Sequence, residues 1–165
     1  TVFAAIARAR AAGVQVSLDS NLRLRLWPLD RARAVLREAL CHADLFLPSM
    51  DDMQHLTGND DPERTLDWIR DAGATGVVVL KLGKDGSIID DGRRRIPVAA
   101  LRVDAVDATG AGDCFAGSLL ARRCQGDDWA AAVRYANAAA ALSTLGYGAV
   151  DPLPRAEQVL AKLRG

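Results

Sequence analysis

The sequence predicts an α/β fold with a mainly parallel sheet, because strand-like segments alternate with helical segments along the chain. The clearest strand is GVVVLKLG at residues 76–83, a continuous apolar run typical of a strand buried on both faces. The clearest helix is RARAVLREAL at residues 31–40, which carries one apolar face. That face is formed by Ala32, Val35, Leu36, Ala39 and Leu40.

Local signals define the elements of the first half of the chain. In order, we predict a helix over 2–12, a buried strand over 14–19, the helix over 31–40, a strand over 43–48, a helix over 49–58, a helix over 62–72 and the strand over 76–83. Gly13 suits the left-handed C-cap of the first helix. Ser49 is a favourable N-cap, and Gly58 ends the helix that Ser49 begins.

The second half begins with a hairpin and continues with helices. Residues 86–98 read as a β-hairpin with Asp91–Gly92 at the turn. A long helix follows a glycine-rich tract and ends near Cys124. Asp127–Asp128 cap the next helix, which runs from Trp129 to about Leu145, and residues 155–163 form the last helix.

The charge balance argues against a nucleic-acid or membrane-surface protein. Lys plus Arg and Asp plus Glu each number 21, so the chain has no net charge that would attract phosphate-rich partners. We interpret the run Arg93–Arg94–Arg95, in the hairpin, as a solvated strand edge. No apolar run approaches the roughly 20 residues of a membrane span. We therefore expect neither nucleic acid nor a membrane as a partner.

The cysteines indicate a reducing compartment. Cys41, Cys114 and Cys124 are odd in number and form no CxxC pair. His42 and His55 show no ligand-like spacing to them. We therefore predict a cytoplasmic protein without a zinc site.

Polar or glycine-rich segments follow the predicted strands at their carboxyl ends, where open α/β sheets bind ligands. They lie at Asp19–Asn21, Pro48–Ser49, Leu82–Gly86 and the glycine-rich tract around residues 106–113. Because the carboxyl ends of parallel strands share one edge of a sheet, we expect the four segments to converge on one ligand site.

The tract VDATGAGDCFAGSLLA, residues 106–121, places an acid at the beginning of the long helix. Gly110 and Gly112 allow positive φ and close approach of the backbone to a ligand. The first N–H groups of a helix lack internal partners and carry partial positive charge, so they can hold a phosphate. Asp113 would orient and deprotonate a hydroxyl that attacks phosphorus, while the amides stabilise charge on the transferring group.

Three other interpretations of this tract compete with this one. Its small residues would also permit tight helix–strand packing, with Asp113 serving only as a first-turn helix charge. A Walker A loop requires a lysine, which Gly117–Ser118 lacks. A dinucleotide-binding fingerprint requires a third glycine sooner after Gly110 and Gly112 than Gly117 provides.

The tract from Asp107 to Gly117 resembles the C-terminal signature of the ribokinase-like (PfkB) carbohydrate kinases. Further segments resemble the same family: VSLDSNLRLRLWP, DLFLPSMDDMQHLTG, VVVLKLGKDGSII and YANAAAALSTLGYGAVDPLP. Within the family, Trp27–Pro28, Ser49 with Asp52, and STLGYGAV look most like 2-dehydro-3-deoxygluconate kinases. The resemblance covers nearly the whole chain and implies the ribokinase-like three-layer α/β/α fold, with the N-terminal half and the β lid absent.

The resemblance implies a small-molecule partner, a sugar or sugar acid, and roles in its ATP-dependent phosphorylation. Asp113 would be the catalytic base for a primary hydroxyl of the sugar. An anion hole would be formed by Gly110, Ala111 and Gly112. The nucleotide would be bound or bordered by Lys81, Gly83, Gly86, Ser49 and Asn137.

The resemblance also implies ion and substrate contacts. Asp52 stands one carbon shorter than the family's usual Glu and would reach Mg²⁺ through water, since Mg²⁺ keeps several waters. Asp107 and Thr109 match positions that hold a monovalent cation such as K⁺ in some members. Arg23 is our candidate for the substrate's carboxylate, because a guanidinium can pair with it bidentately. The alternatives are a loop arginine at Arg23, a helix N-terminal charge at Asp52, and a solvated strand end at Lys81.

The expected context is a longer protein. We expect residues 1–165 to be the C-terminal nucleotide-binding and catalytic portion of a PfkB-type kinase domain, inactive alone and part of a homodimer when complete. The implied reaction is ATP-dependent phosphorylation of 2-dehydro-3-deoxy-D-gluconate to its 6-phosphate. The alternatives are a fructokinase- or ribokinase-type sugar kinase and a truncated nucleotide-binding module without catalysis.

Overall fold

A computed structural model describes residues 1–164 of the chain. Its helices are α1 (Val2–Ala11), α2 (Leu29–Leu40), α3 (Met50–Thr57), α4 (Pro62–Asp71), α5 (Ala111–Cys124), α6 (Trp129–Ser143) and α7 (Ala156–Arg164). Its strands are β1 (Ser17–Asp19), β2 (Leu45–Leu47), β3 (Val77–Lys81), β4 (Ser87–Asp90) and β5 (Arg95–Val98). Over residues 1–164, none of the helices combines the length and the apolar character that crossing a membrane requires.

The strands form a sheet in the order β1-β2-β3-β4-β5. β1 pairs in parallel with β2, and β2 pairs in parallel with β3, so that Phe46 lies opposite both Leu18 and Val78. β4 and β5 are joined by a four-residue connection that includes the predicted Asp91–Gly92 turn, and the Asp91 N–H donates to the Arg94 carbonyl. The predicted α/β fold with a mainly parallel sheet is confirmed.

β1 is shorter and more exposed than the sequence predicts. Val14 is 57% exposed, and the strand begins only at Ser17. Before it, the Val16 N–H donates to a carboxylate oxygen of Asp44, and the Val16 carbonyl accepts from the N–H groups of Asp44 and Leu45. Because β1 lies at one end of the strand order, it has one neighbouring strand and is not the fully buried strand that we predicted.

The predicted helix caps are confirmed. The Ser49 hydroxyl accepts from the Asp52 N–H at 3.1 Å, and Gly58 ends α3 in the left-handed region at φ 76°. The Asp128 side chain caps α6 by accepting from the Ala131 N–H at 2.8 Å. These bonds satisfy backbone groups that the ends of a helix would otherwise leave without partners.

The chain divides into two compact units, of which the first comprises Thr1–Leu82 and Ile88–Arg95. Its core consists of large apolar side chains from α2, α3, α4 and the strands. The best buried of these include Leu40, Met53, Leu66, Ile69, Val78 and Leu80. Burial of each such side chain contributes about 1.5–3 kcal/mol relative to exposure.

The second unit comprises Gly83–Ser87 and the residues from Ile96 onward. α5, α6 and α7 pack together in this unit, and α6 contributes mainly alanine side chains to the contact. Ala138, Ala139, Leu142 and Val159 form its buried cluster. The small alanine side chains let the helix backbones approach closely.

The arginine run in the hairpin is only partly solvated, which corrects our prediction of a solvated edge. Arg93 and Arg94 are exposed. Arg95 is partly buried, and its guanidinium pairs with the carboxylates of Glu63 and Asp67 on α4. These acids are 32 and 28 residues away in the sequence, so the hairpin pattern alone could not identify them.

Asp90, at the end of β4, lies at the centre of a buried ionic contact in the first unit. Its carboxylate accepts from the Arg70 guanidinium at 2.8 Å and from the Gly92 N–H at 2.7 Å. Burial raises the pKa of Asp90, but the hydrogen bonds from Arg70 and Gly92 outweigh burial and hold the pKa below its usual range. The carboxylate is therefore ionised in the folded protein at neutral pH.

Candidate active site

Helix α5 begins at a glycine whose backbone conformation and surroundings both exclude other residues. Gly110 has φ 78°, and a β carbon placed on it would lie 2.8 Å from the Ala149 β carbon. The Ala111 N–H donates to the Ala108 carbonyl at 3.1 Å, so it is already engaged within the loop. Among the residues that the structure describes, the N–H groups of Gly112 and Asp113 have no acceptor. These two amides are therefore available for an anion.

Asp113 lies in the first turn of α5 with an exposed side chain. The predicted base is thus open to solvent, and the two unpaired amides are its own and that of the preceding residue, Gly112. The neighbouring Cys114 is partly buried, and burial raises the pKa of its thiol. The neutral thiol of Cys114 is therefore a poor candidate for a base at this helix end.

Asp107 joins the segment before α5 to the loop after α6. One of its carboxylate oxygens accepts from the N–H and the hydroxyl of Thr109, at 2.9 and 2.7 Å, and the other accepts from the Gly148 N–H at 2.8 Å. The bond from Gly148 and those from Thr109 hold the pKa of Asp107 below its usual range. The N–H groups of Val106 and Asp107 both donate to the Thr144 carbonyl. The residues predicted to hold a monovalent cation therefore fix the backbone segment before Gly110 and join it to the loop after α6.

The predicted nucleotide loop contains two glycines that are required for different reasons. Gly83 has φ 60° and is exposed, and a β carbon on it would contact nothing within 4 Å. Gly86 has φ 98°, and a β carbon on it would lie 2.2 Å from the Val98 carbonyl oxygen and 2.8 Å from the Ala100 nitrogen. At Gly86 the backbone closely approaches the end of β5, and its predicted approach to a nucleotide stays a prediction.

Asn137 is only 6% exposed, and the protein itself supplies its hydrogen-bond partners. Its side-chain oxygen accepts from the Ser87 hydroxyl at 2.8 Å, and its side-chain nitrogen donates to the carbonyls of Val98 and Ala99 at 3.1 and 3.3 Å. Two carbonyls can accept only from the NH₂ group, so this network fixes the orientation of the amide. Asn137 therefore lies behind the loop that contains Gly83 and Gly86.

In the first unit, Lys81 is neither a solvated strand end nor a free cation. Its ammonium contacts the Asp19 carboxylate at 2.7 Å, and the Lys81 side chain is 13% exposed. The other oxygen of Asp19 accepts from the N–H of Asn21, which has a positive φ of 35°. Asp19 is thus a candidate site residue that sequence reasoning named only as the end of a segment. A phosphate that bound the Lys81 ammonium would have to share it with the Asp19 carboxylate.

Asp52 and Ser49 hold the loop that follows β1. One Asp52 oxygen accepts from the Ser20 hydroxyl at 2.6 Å and from the Leu22 N–H at 3.1 Å. The Asp52 N–H donates to the Ser49 hydroxyl. Within residues 1–164, the second Asp52 oxygen has no donor, so one oxygen of this partly buried carboxylate remains for a water-mediated contact with Mg²⁺. The donor chemistry of Asp52 therefore fits the proposed role.

Arg23 is exposed on the loop between β1 and α2. One terminal nitrogen of its guanidinium donates to the Leu22 carbonyl at 3.0 Å. A planar guanidinium has five N–H donors in all. This bond uses one of them and leaves the others for a ligand. The position therefore leaves the side chain accessible to an acid.

The chain is similar to known carbohydrate kinases over most of its length. The family model described as pfkB family carbohydrate kinase matches residues 1–156. The chain is 36% identical over 157 residues to a 2-dehydro-3-deoxygluconokinase of Bacillus subtilis (strain 168), a match covering 93% of this chain and 48% of that protein. It is 32% identical over 158 residues to an aminoimidazole riboside kinase of Salmonella typhimurium, covering 92% of this chain and 49% of that protein.

A solved structure gives a similar result. The structure of a fructokinase from Vibrio cholerae O395, in a form bound to fructose, ADP and calcium ion, superposes with a TM-score of 0.90 at 35% identity. The superposition covers 98% of this chain and 55% of that one. The chain thus spans about half the length of the relatives it matches.

Proposed function

The chain belongs to the pfkB family of carbohydrate kinases, and we propose that it supplies the phosphoryl-transfer groups of an ATP-dependent sugar kinase. One observation carries this proposal: the exposed carboxylate of Asp113 follows two unpaired backbone amides at the beginning of α5. Such amides suit the terminal phosphoryl group of ATP, because they present partial positive charge without reorganisation.

The proposed reaction needs one base and one set of anion donors. Asp113 orients a primary hydroxyl of the sugar and accepts its proton. The hydroxyl oxygen forms a bond to the γ-phosphorus, the bond from that phosphorus to the β–γ bridging oxygen breaks, and ADP leaves with the electron pair. The N–H groups of Gly112 and Asp113 stabilise charge on the transferring group. A weakly basic but well-positioned carboxylate suffices for a loose transition state.

Other residues receive supporting roles in this proposal. Mg²⁺, when bound with ATP, would neutralise phosphate charge, and Asp52 is the residue that we assign to it through water. Asp107 and Thr109 keep the backbone beside Gly110 in place through their hydrogen bonds. To bind a monovalent cation such as K⁺, the Asp107 carboxylate would have to give up some of these hydrogen bonds.

We propose 2-dehydro-3-deoxy-D-gluconate as the substrate and its 6-phosphate as the product. The identity to the Bacillus subtilis relative and the accessible guanidinium of Arg23, which would pair with the carboxylate of a sugar acid, both support this choice. A fructokinase-type activity is the second candidate, because the Vibrio cholerae fructokinase is similar to this chain at 35% identity.

The test is a substrate panel on the product of the gene's complete reading frame. Release of ADP is measured with 2-dehydro-3-deoxygluconate, fructose and ribose, each in the presence of ATP and Mg²⁺. We expect the sugar acid to give the highest kcat/KM and Arg23→Ala to lower that value selectively for the sugar acid. The highest kcat/KM with fructose would instead support the second candidate, a fructokinase-type activity. Nucleotide binding without turnover of any sugar would instead indicate a binding module.

A further inference from the structure

We propose that Asn137 is a positioning residue, which fixes the Gly83–Ser87 loop from behind and does not itself contact the nucleotide. The inference rests on the proposed function, because it is that function which places ATP beside this loop. It departs from the role that we expected for Asn137 from family resemblance. The loop, the end of β5 and α6 all belong to the second unit, so the contacts described below lie within it.

The hydrogen-bonding capacity of Asn137 is nearly exhausted by the protein. Its side chain has two N–H donors, and the carbonyls of Val98 and Ala99 are their acceptors. Its oxygen accepts from the Ser87 hydroxyl, and the whole residue is 6% exposed. A nucleotide that bound the Asn137 amide would have to displace buried carbonyl groups, and a buried carbonyl without a donor is costly.

The same contacts locate what Asn137 holds together. Gly86 packs so closely on β5 that a β carbon would lie 2.2 Å from the Val98 carbonyl oxygen. Val98 is also an acceptor for the Asn137 side chain, and Ser87 directly follows Gly86. Asn137 therefore connects both sides of the contact between the loop and β5, through Ser87 on one side and through Val98 and Ala99 on the other.

Ser87 is the only side chain through which Asn137 is bonded to the loop, among the residues that the structure describes. Ser87 is itself 2% exposed and is the first residue of β4. The preceding residues Gly83–Asp85 form an exposed 3₁₀ turn. The orientation of that exposed turn consequently depends on the Ser87–Asn137 bond, although both residues are buried.

The distinguishing prediction is that Ser87→Ala reproduces Asn137→Ala. In the product of the complete reading frame, each variant should raise the KM for ATP about tenfold, in line with the cost of an unsatisfied buried partner, and change kcat by less than about twofold. The double variant should be no worse than Asn137→Ala alone, because both changes remove the same connection. If Asn137 instead contacts the nucleotide directly, Asn137→Ala will raise the KM for ATP and Ser87→Ala will not, which would overturn the inference.

Matched controls separate positioning from loss of stability. Ala132→Gly lies on the same helix, α6, at a fully buried position, and should destabilise the protein without changing the KM for ATP. Ser87→Cys keeps a weak donor of similar size and should recover part of the ATP affinity. If Ser87→Ala does not fold, Ser87→Gly removes the same hydroxyl, and a KM for ATP equal to that of the wild type in that variant would count against the inference.

Failure of the proposed function is distinguishable from failure of this inference. If the wild-type protein phosphorylates no sugar, the kinase assignment fails, and amide hydrogen exchange of residues 83–86 still decides the positioning role. Faster exchange in both Ser87→Ala and Asn137→Ala, but not in Ala132→Gly, supports it. Unchanged exchange in Ser87→Ala contradicts it.

Discussion

The two glycines of the loop between β3 and β4 offer a matched pair of substitutions. Both adopt positive φ, 60° at Gly83 and 98° at Gly86, but only Gly86 is packed against backbone. Replacing each in turn by alanine therefore adds the same methyl group to the same loop in two different surroundings. At Gly83 the methyl enters open space, whereas at Gly86 it meets the Val98 carbonyl oxygen at 2.2 Å.

The expected magnitudes differ by the cost of that contact. For Gly83→Ala, the left-handed conformation alone costs about 1–2 kcal/mol. For Gly86→Ala, backbone strain costs about 1–3 kcal/mol, and forcing a methyl into filled space adds about 1–3 kcal/mol more. The clash is with backbone atoms, so rotation of a side chain cannot relieve it. A loss of about 2–6 kcal/mol is a large fraction of the roughly 5–15 kcal/mol that stabilises a typical domain.

Urea unfolding followed by circular dichroism measures both losses, and the KM for ATP reports the state of the loop. We expect Gly86→Ala to lose at least about 1 kcal/mol more than Gly83→Ala, since overpacking alone costs that much. Equal losses for the two variants, or a larger loss for Gly83→Ala, would refute the argument that contact with β5 is what requires glycine at position 86.

Further predictions concern other buried or constrained groups. Thr65→Val should stabilise the protein by about 1 kcal/mol in urea unfolding, because the buried Thr65 hydroxyl has no hydrogen-bond partner within the described residues, and a loss of stability would contradict this. The pKa of Asp90 is lower in the folded protein than in the unfolded chain. Its carboxylate therefore contributes fully to the free energy of unfolding above the unfolded pKa of ~4, and this contribution is lost as the pH falls through the folded pKa. Asp90→Asn should therefore cost about 2 kcal/mol at pH 7, by weakening the contact with Arg70, and progressively less below pH ~4; a pH-independent difference would contradict the ionic origin. Gly110→Ala should lower turnover strongly, because its methyl would meet Ala149 and displace the beginning of α5, and wild-type turnover would argue against that packing.

Much of the fold could be predicted because its signals are local. Ser49 and Asp128 cap helices through backbone groups three residues ahead, so the cap and its partner lie in one short stretch of sequence. The alternation of apolar strands and amphipathic helices likewise needs no knowledge of the rest of the chain. The position of Asp113 in the first turn of an exposed helix end was predictable for the same reason.

The contacts that sequence reasoning missed join distant segments. Lys81 and Asp19 are 62 residues apart, and Asn137 and Ser87 are 50 residues apart. Nothing near either residue in the sequence specifies its partner, since only the register of the strands and the packing of α6 bring them together. The prediction that β1 is buried was wrong for a similar reason, because an apolar run does not reveal whether its strand lies at the end of the sheet.

The central claim is that Asp113 accepts the proton of the attacking hydroxyl. Its most direct test is the steady-state kinetics of Asp113→Asn in the product of the complete reading frame, with ATP and the best substrate of the panel. We predict a fall in kcat of about 10²–10⁴-fold, because the asparagine side chain cannot accept the proton. The KM for ATP should stay within about twofold of the wild type, because the backbone N–H groups of Gly112 and residue 113 remain in place. A kcat near that of the wild type would contradict the claim.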